Sequence, residues 1–312
     1  MDRTAPTVPN DAYLTVRPDR LNRRRAVARS ARTHLPSRAG IVAAVSAELV
    51  RIDDCCSVRV PREDAWPWHE AATGSWEPES LQVVRDVIRE GDLVIDVGAY
   101  VGIFAAVAAG KRARVHAFEP DPVARAQLER MLELNPEIAE YVAVHPEALG
   151  ASDRSAMLSS ERLGNSGSSL VRDQAGGVDV IVRDAVAALT ECGVISCKLL
   201  KIDVEGSEYE LLPHLLPLLR RSRATLLLAV HTYHLREPFA RLPLLVRGFL
   251  FRLRALPRQW KLISAARRLG PTFLAEPNSG HWRRLRGLNL IAALASVREK
   301  ELLVRPLAPP CG

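Results

Sequence analysis

Three short runs place acids, glycines and a lysine at spacings that can do chemistry. The first is Val94-Ile95-Asp96-Val97-Gly98-Ala99-Tyr100-Val101-Gly102. Here an apolar run of buried-strand length ends in two glycines, which let the backbone approach a ligand and turn into a helix. The glycines stand four apart, whereas a dinucleotide fingerprint needs intervals of two and then three. Asp96, just before the first glycine, would repel a pyrophosphate and suits a cationic ligand, such as an amino-acid moiety carrying a sulfonium. Alone, the run also fits an ordinary strand-to-helix turn.

The second run is Val115-His116-Ala117-Phe118-Glu119-Pro120. Glu119 follows an apolar strand, seventeen residues after Gly102, where a carboxylate can accept hydrogen bonds from a ribose diol. The third is Lys201-Ile202-Asp203-Val204-Glu205-Gly206-Ser207-Glu208. Three acids and a lysine at a strand's carboxyl end sit where open α/β sheets bind ligands. Like charges at that density raise one another's proton affinity, the condition for a carboxylate to act as base or metal ligand. Among groups able to remove a proton, His231 comes first because imidazole titrates near neutral pH. Asp203 and Glu208 come second, and His234 could substitute.

The elements that must carry these runs alternate. Strands are expected at Leu93–Val97, Arg114–Phe118, Tyr141–His145, Lys198–Asp203 and Leu226–His231. Helices are expected at Glu77–Glu90, Val101–Ala109, Asp121–Leu134, Asp184–Cys192 and Ser207–Leu219. Such alternation predicts a doubly wound, mostly parallel sheet with helices on both faces. Ala156–Ser159 and Val178–Arg183 read as short extra strands around a Gly/Ser/Asn stretch. Phe273–Glu276 and Leu288–Ala293 would finish the sheet. Ile41–Val50 reads as a short helix and Trp66-Pro67-Trp68 as an irregular packed segment. The domain plan is a basic arm at 1–40, an N-terminal cap at 41–78, a main domain at 79–305 with a basic helical insertion near 238–270, and a tail at 306–312.

Charge is unevenly spread. Of a formal net +7, residues 1–40 carry +6 and residues 241–275 carry +8, leaving the centre acidic. Around the basic segment 243–256, Leu242, Leu245, Val246, Phe249, Leu250, Leu253 and Leu256 share one helical face with Arg247, Arg254 and Arg258 opposite. This fits a surface helix packed on the domain, a lid, or a peripheral membrane contact drawn to anionic lipid. Nucleic acid is not expected as a partner, because the Arg-rich arm lacks interleaved aromatics for stacking. Five cysteines without CxxC spacing argue against zinc or a disulfide framework and for a reducing, cytoplasmic setting. The adjacent Cys55-Cys56 reads as two buried thiols or a loop feature. The N-terminus lacks the apolar core of a signal peptide.

Together, Asp96-Val97-Gly98-Ala99 with Gly102, Phe118-Glu119-Pro120, Ala148-Leu149-Gly150 and the Lys201–Glu208 run resemble the signature of the FkbM-type methyltransferases, over roughly residues 80–235. The resemblance implies a class I, Rossmann-like methyltransferase fold with seven strands. It implies S-adenosylmethionine as methyl donor and a small hydroxylated acceptor, such as a sugar or a secondary metabolite. By it, the loop of Asp96, Gly98, Ala99, Tyr100 and Gly102 holds the methionine part, and Glu119 with Pro120 holds the ribose. Glu147 and Ala148 face the adenine edge, and Asp203 closes the pocket near the transferred methyl. No metal is expected. Asn165–Leu170 is similar to the family's Gly/Ser-rich segment. Tyr100 departs from the family's usual Asn, and Leu228-Ala229-Val230-His231 keeps a histidine while losing an acid that often precedes it. A nicotinamide-dependent oxidoreductase, disfavoured by the glycine spacing, and a non-catalytic binding domain are the rival expectations.

Overall fold

The structure, a computed structural model, describes residues 46–160, 163–164, 166–170, 177–232, 244–276, 281–287, 289–290, 293 and 300–306. The chain divides into units Met1–Ala44 and Val45–Gly312, and every described residue belongs to the second. The expected arm, His234, Asn165 and most of the tail lie outside the described residues.

The described chain opens with a hairpin, β1 (Ala47–Arg51) and β2 (Ser57–Pro61). This corrects the helix expected at Ile41–Val50. Val50, Val58 and Val60 alternate into the core, a period of two that suits a half-buried strand. Trp66-Pro67-Trp68 opens a helix, α1 (Trp66–Thr73), instead of an irregular segment. Proline is tolerated in a first helical turn, where its missing N–H has no partner to lose. Cys56 is buried and Cys55 exposed, so only one of the pair is a core thiol.

The central sheet follows. After α2 (Pro78–Val87) come β3 (Leu93–Val97), α3 (Ile103–Gly110), β4 (Arg114–Phe118), α4 (Pro122–Leu134), the short α5 (Pro136–Ala139) and β5 (Val142–His145). A small side sheet is made of β6 (Ala148–Gly150), β7 (Arg154–Ser159) and β8 (Gly177–Asp184). Next come α6 (Ala185–Glu191), β9 (Leu199–Ile202), α7 (Glu208–Leu219), β10 (Thr225–Val230), α8 (Leu244–Leu269), β11 (Thr272–Glu276), β12 (His281–Arg284) and β13 (Lys300–Val304). The order across the sheet is β12-β11-β13-β10-β9-β3-β4-β5. The five strands from β10 to β5 are parallel, and β13, β11 and β12 join them antiparallel.

This is a doubly wound sheet of eight strands, one more than expected, because the β11–β12 hairpin adds an edge. The strand expected at Leu288–Ala293 is not found among the described residues. Leu290 and Ala293 are helical and β13 is the closing strand, because its Leu302, Leu303 and Val304 bury fully beside β10.

β3 and β10 are buried at every position, as parallel strands covered on both faces must be. The two large apolar clusters lie on opposite sides of the sheet, one centred on α3 and one on α6, α7 and α8. α3 is nearly all small or apolar, which lets it pack close against β3 and β4. Asp121 caps α4, its side chain accepting hydrogen bonds from the N–H groups of Val123 and Ala124, a contribution of about 1 kcal/mol. α8 runs well past the expected 243–256, through Pro257. Among the described residues, no helix is long and apolar enough to cross a membrane.

Candidate functional site

The sheet order reverses between β3 and β9, and ligands of open α/β sheets bind at such a switch point beyond the strands' carboxyl ends. A cleft of about 490 Å³ lies there, within the size range of small-molecule sites. Gly98, Ala99, Tyr100, Glu119, Pro120, Glu147, Ala148, Asp203 and His231 line it, as do Glu77, Lys201 and Glu205.

Gly98 is where the two halves of the sheet nearly touch. Its φ is +89°, and a Cβ there would fall 1.8 Å from the carbonyl oxygen of Asp203. The N–H of Asp203 in turn donates to the carbonyl of Val97. Only glycine fits, because any side chain would collide with the backbone at the end of β9. Tyr100 holds φ +53°, a left-handed conformation that Asn tolerates better than an aromatic. Two contacts secure it. Its N–H donates to Glu119 Oε2 at 2.7 Å, and its ring stacks on Trp76 at 5.5 Å.

Glu119 accepts a second backbone hydrogen bond at Oε1, from Asp121 at 2.8 Å. A carboxylate has about four lone-pair sites, so two remain for a ligand's hydroxyls. Burial pushes its pKa up to about 8 against the pull of those two N–H groups. Asp121 also accepts from the Gly164 N–H and the Ser168 hydroxyl, while the Ser169 hydroxyl donates to the Glu205 carbonyl. The Gly/Ser segment is thereby tied down on both sides of the cleft.

Three expected site residues do not reach the cleft wall. Asp96 is fully buried beneath it, and neither carboxylate oxygen has a hydrogen-bond partner among the described residues. Burial, offset in part by Lys201, pushes its pKa up to about 7. Gly102 caps α3 at φ +90°, and a Cβ there would meet Leu128 at 2.2 Å, so it is a packing glycine. Glu208, expected as a possible base, has both oxygens occupied. It accepts the N–H of Gly206 at 2.7 Å and that of His231 at 2.5 Å, and thus positions the end of β10.

Lys201 sits in a buried strand and would be costly there unpaired. Its ammonium lies 2.9 Å from Asp203 Oδ2 and 3.2 Å from Glu77 Oε2. Burial works against the charge, but Asp203, Glu77 and Asp96 hold its pKa well above the ordinary lysine value. Burial would likewise raise Asp203, yet Lys201 and His231 outweigh it and keep that carboxyl below the usual aspartate value. The second oxygen of Asp203 faces His231, Oδ1 to Nε2 being 3.5 Å, and Glu205 Oε1 stands 3.5 Å from the same nitrogen. Sequence reasoning left Glu77, Glu205 and Lys201 without site roles. Both acids have positive φ, Glu205 just past β9 and Glu77 at the N-cap of α2.

A class I methyltransferase is defined by this strand order together with a glycine loop and a ribose-type acid at the switch point. The Methyltransferase FkbM domain matches residues 96–254, and the chain belongs to the FkbM methyltransferase family. S-adenosylmethionine is its cofactor, and the nicotinamide-dependent expectation is set aside. No curated protein sequence matches the chain.

Similar solved structures include Methyltransferase FkbM from Methylobacillus flagellatus KT, at 17% identity over 58% of this chain with TM-score 0.33. This chain spans 45% of that protein. An rRNA methylase from Streptococcus thermophilus is 12% identical over 73% of this chain and 95% of its own, with TM-score 0.38. A Streptococcus mutans protein solved in complex with SAH is 12% identical over 73% and 96%, also at 0.38.

The cleft fits the cofactor on its own evidence. Gly98 lets the end of β9 close on the loop, the loop residues 98–100 line the cleft, and Glu119 keeps two lone-pair sites beyond its two backbone hydrogen bonds, a lining that fits an amino-acid moiety and a ribose diol. Glu147 and Ala148 also line the cleft.

Proposed function

We propose that the protein methylates a hydroxyl oxygen on a small molecule, a sugar or a secondary metabolite. S-adenosylmethionine, when bound, supplies an electrophilic methyl group on a cationic sulfur. The Gly98–Tyr100 backbone and Glu119 orient it, and the acidic wall of Asp203, Glu205 and Glu77 favours its positive charge. The observation that carries the reading is the Asp203–Glu205–His231 cluster on the cleft wall beside Gly98. An alcohol must lose its proton as it attacks, and this cluster is where the chain can take that proton up. Glu208 holds the His231 backbone at the end of β10, where the imidazole lines the cleft. Alignment of acceptor and donor supplies much of the rate, with effective molarities of order 10⁵ M or more.

Labelled S-adenosylmethionine offered with a panel of hydroxylated sugars and secondary metabolites tests this. The expected product carries an O-methyl group, and His231→Ala lowers kcat by about 10²–10⁴-fold while S-adenosylhomocysteine still binds. Transfer to nitrogen or carbon would overturn the oxygen acceptor. Cofactor binding without transfer to any compound would leave a binding module instead.

A further inference from the structure

We infer that Asp203 Oδ1, Glu205 Oε1 and His231 Nε2 form a site for a divalent cation of the Mn²⁺ or Mg²⁺ class, placed to hold the acceptor hydroxyl. The inference rests on the O-methylation reading and replaces direct proton uptake by the cluster with acidification of the hydroxyl on a cation that the cluster holds.

The three donor atoms come from two neighbouring strand ends, β9 and β10, and all lie within 4.8 Å of one another. Nε2 stands 3.5 Å from each carboxylate oxygen. That is beyond the roughly 2.7–3.2 Å of an N–H···O hydrogen bond. Donor atoms bonded at about 2.1 Å to one cation stand roughly 3.0–3.4 Å apart, so the imidazole nitrogen already stands close to a ligand's spacing from each carboxylate oxygen. Asp203 is divided to suit: Lys201 occupies Oδ2 and leaves Oδ1 toward the imidazole. On the ring's other side Glu208 Oε1 lies 3.7 Å from Nδ1, beyond hydrogen-bond distance, and adds negative charge beside the imidazole.

Charge points the same way. Glu77, Glu119, Glu147, Asp203 and Glu205 line the cleft against Lys201, and Lys201 is already shared by two of them. One imidazole nitrogen with two carboxylate oxygens suits a borderline-to-hard cation. With three protein ligands the remaining positions face the cleft, and a hydroxyl bound there loses its proton more readily, as metal-bound water does. The hydroxyl O–H bond breaks, its electron pair stays on oxygen, and the proton passes to solvent water.

Mn²⁺ alone, titrated into the full chain and followed by electron paramagnetic resonance, tests the site without any turnover. S-adenosylhomocysteine binding is measured separately by calorimetry. One bound Mn²⁺ is expected in the wild-type chain. Glu205→Gln, shown to be folded by an intact thermal transition, should weaken it by more than the roughly 10–100-fold that losing an outer partner costs. Failure of the wild-type chain to bind Mn²⁺ while it binds S-adenosylhomocysteine overturns the cation and leaves the methyltransfer reading standing. Equal Mn²⁺ binding in Glu205→Gln overturns the ligand set. Mn²⁺ binding without S-adenosylhomocysteine binding would sustain the cation site and sink the methyltransfer reading instead.

Discussion

Glu119 and Asp96 are buried carboxyl groups, and their environments set two outcomes. Glu119 should bind a ribose diol best as a carboxylate. With its pKa at about 8, S-adenosylhomocysteine affinity should rise with pH up to about that value. Glu119→Gln should abolish the rise and cost about 10–100-fold in affinity, from charge-assisted hydrogen bonds worth roughly 1.5–3 kcal/mol. Calorimetric titrations between about pH 6 and 8.5 check both. Asp96 and Glu119 sit above their ordinary values of 3.8 and 4.5. Their contribution to stability is therefore fully present below those values and is lost as pH rises through about 7 and 8. The cofactor-free protein should melt lower at about pH 8 than at about pH 6, and Asp96→Asn should flatten that fall in a thermal scan. Gly98→Ala meets both a steric and a conformational barrier. It should lose S-adenosylhomocysteine binding and more than about 1 kcal/mol of stability, read by urea unfolding.

At the scale of elements, α8 is the one whose exterior asks for a partner. Phe251, Ala255, Leu262, Ile263 and Ala266 turn inward and are buried. Val246, Leu253, Leu256 and Trp260 recur at seven, three and four residues on the outer side, where they are 47%, 56%, 45% and 56% exposed. The helix contains no acid, and Arg252, Arg258, Lys261, Arg267 and Arg268 are exposed around the stripe. An apolar stripe with a tryptophan and flanking cations suits the surface of an anionic bilayer. Vesicles rich in phosphatidylserine should therefore sediment the protein, and neutral phosphatidylcholine vesicles should not. Leu253→Glu with Trp260→Glu should abolish the retention. Retention unchanged by that double substitution would mean that another surface is responsible.

Across the molecule, the parallel core depends on the last described strand. β13 lies between β10 and β11 and is antiparallel to both, so the edge of the sheet is built from residues far along the chain from the cleft. Leu302 is fully buried at that junction. Leu302→Ala should cost about 2–5 kcal/mol in a denaturant titration, with little change in cofactor affinity because it is remote from the glycine loop. A loss of affinity with stability intact would instead show that the far edge sets the cleft's shape.

Much of this protein was legible in local pattern. The strands at Leu93–Val97 and Arg114–Phe118 have the expected bounds, since a buried parallel strand needs an unbroken apolar run of that length. The Gly98 turn and the acid after β4 follow from the same local grammar. The amino-acid order could not show where side chains point in the turns between elements. Glu77 and Glu205 hold positive φ and line the cleft, whereas Asp96, Gly102 and Glu208 are spent on the layers beneath it. Nor could spacing reveal that Lys300–Val304, and not Leu288–Ala293, closes the sheet, or which side of α8 is covered. Those choices depend on strand pairing and packing between residues far apart in sequence, so the tertiary structure alone decided them.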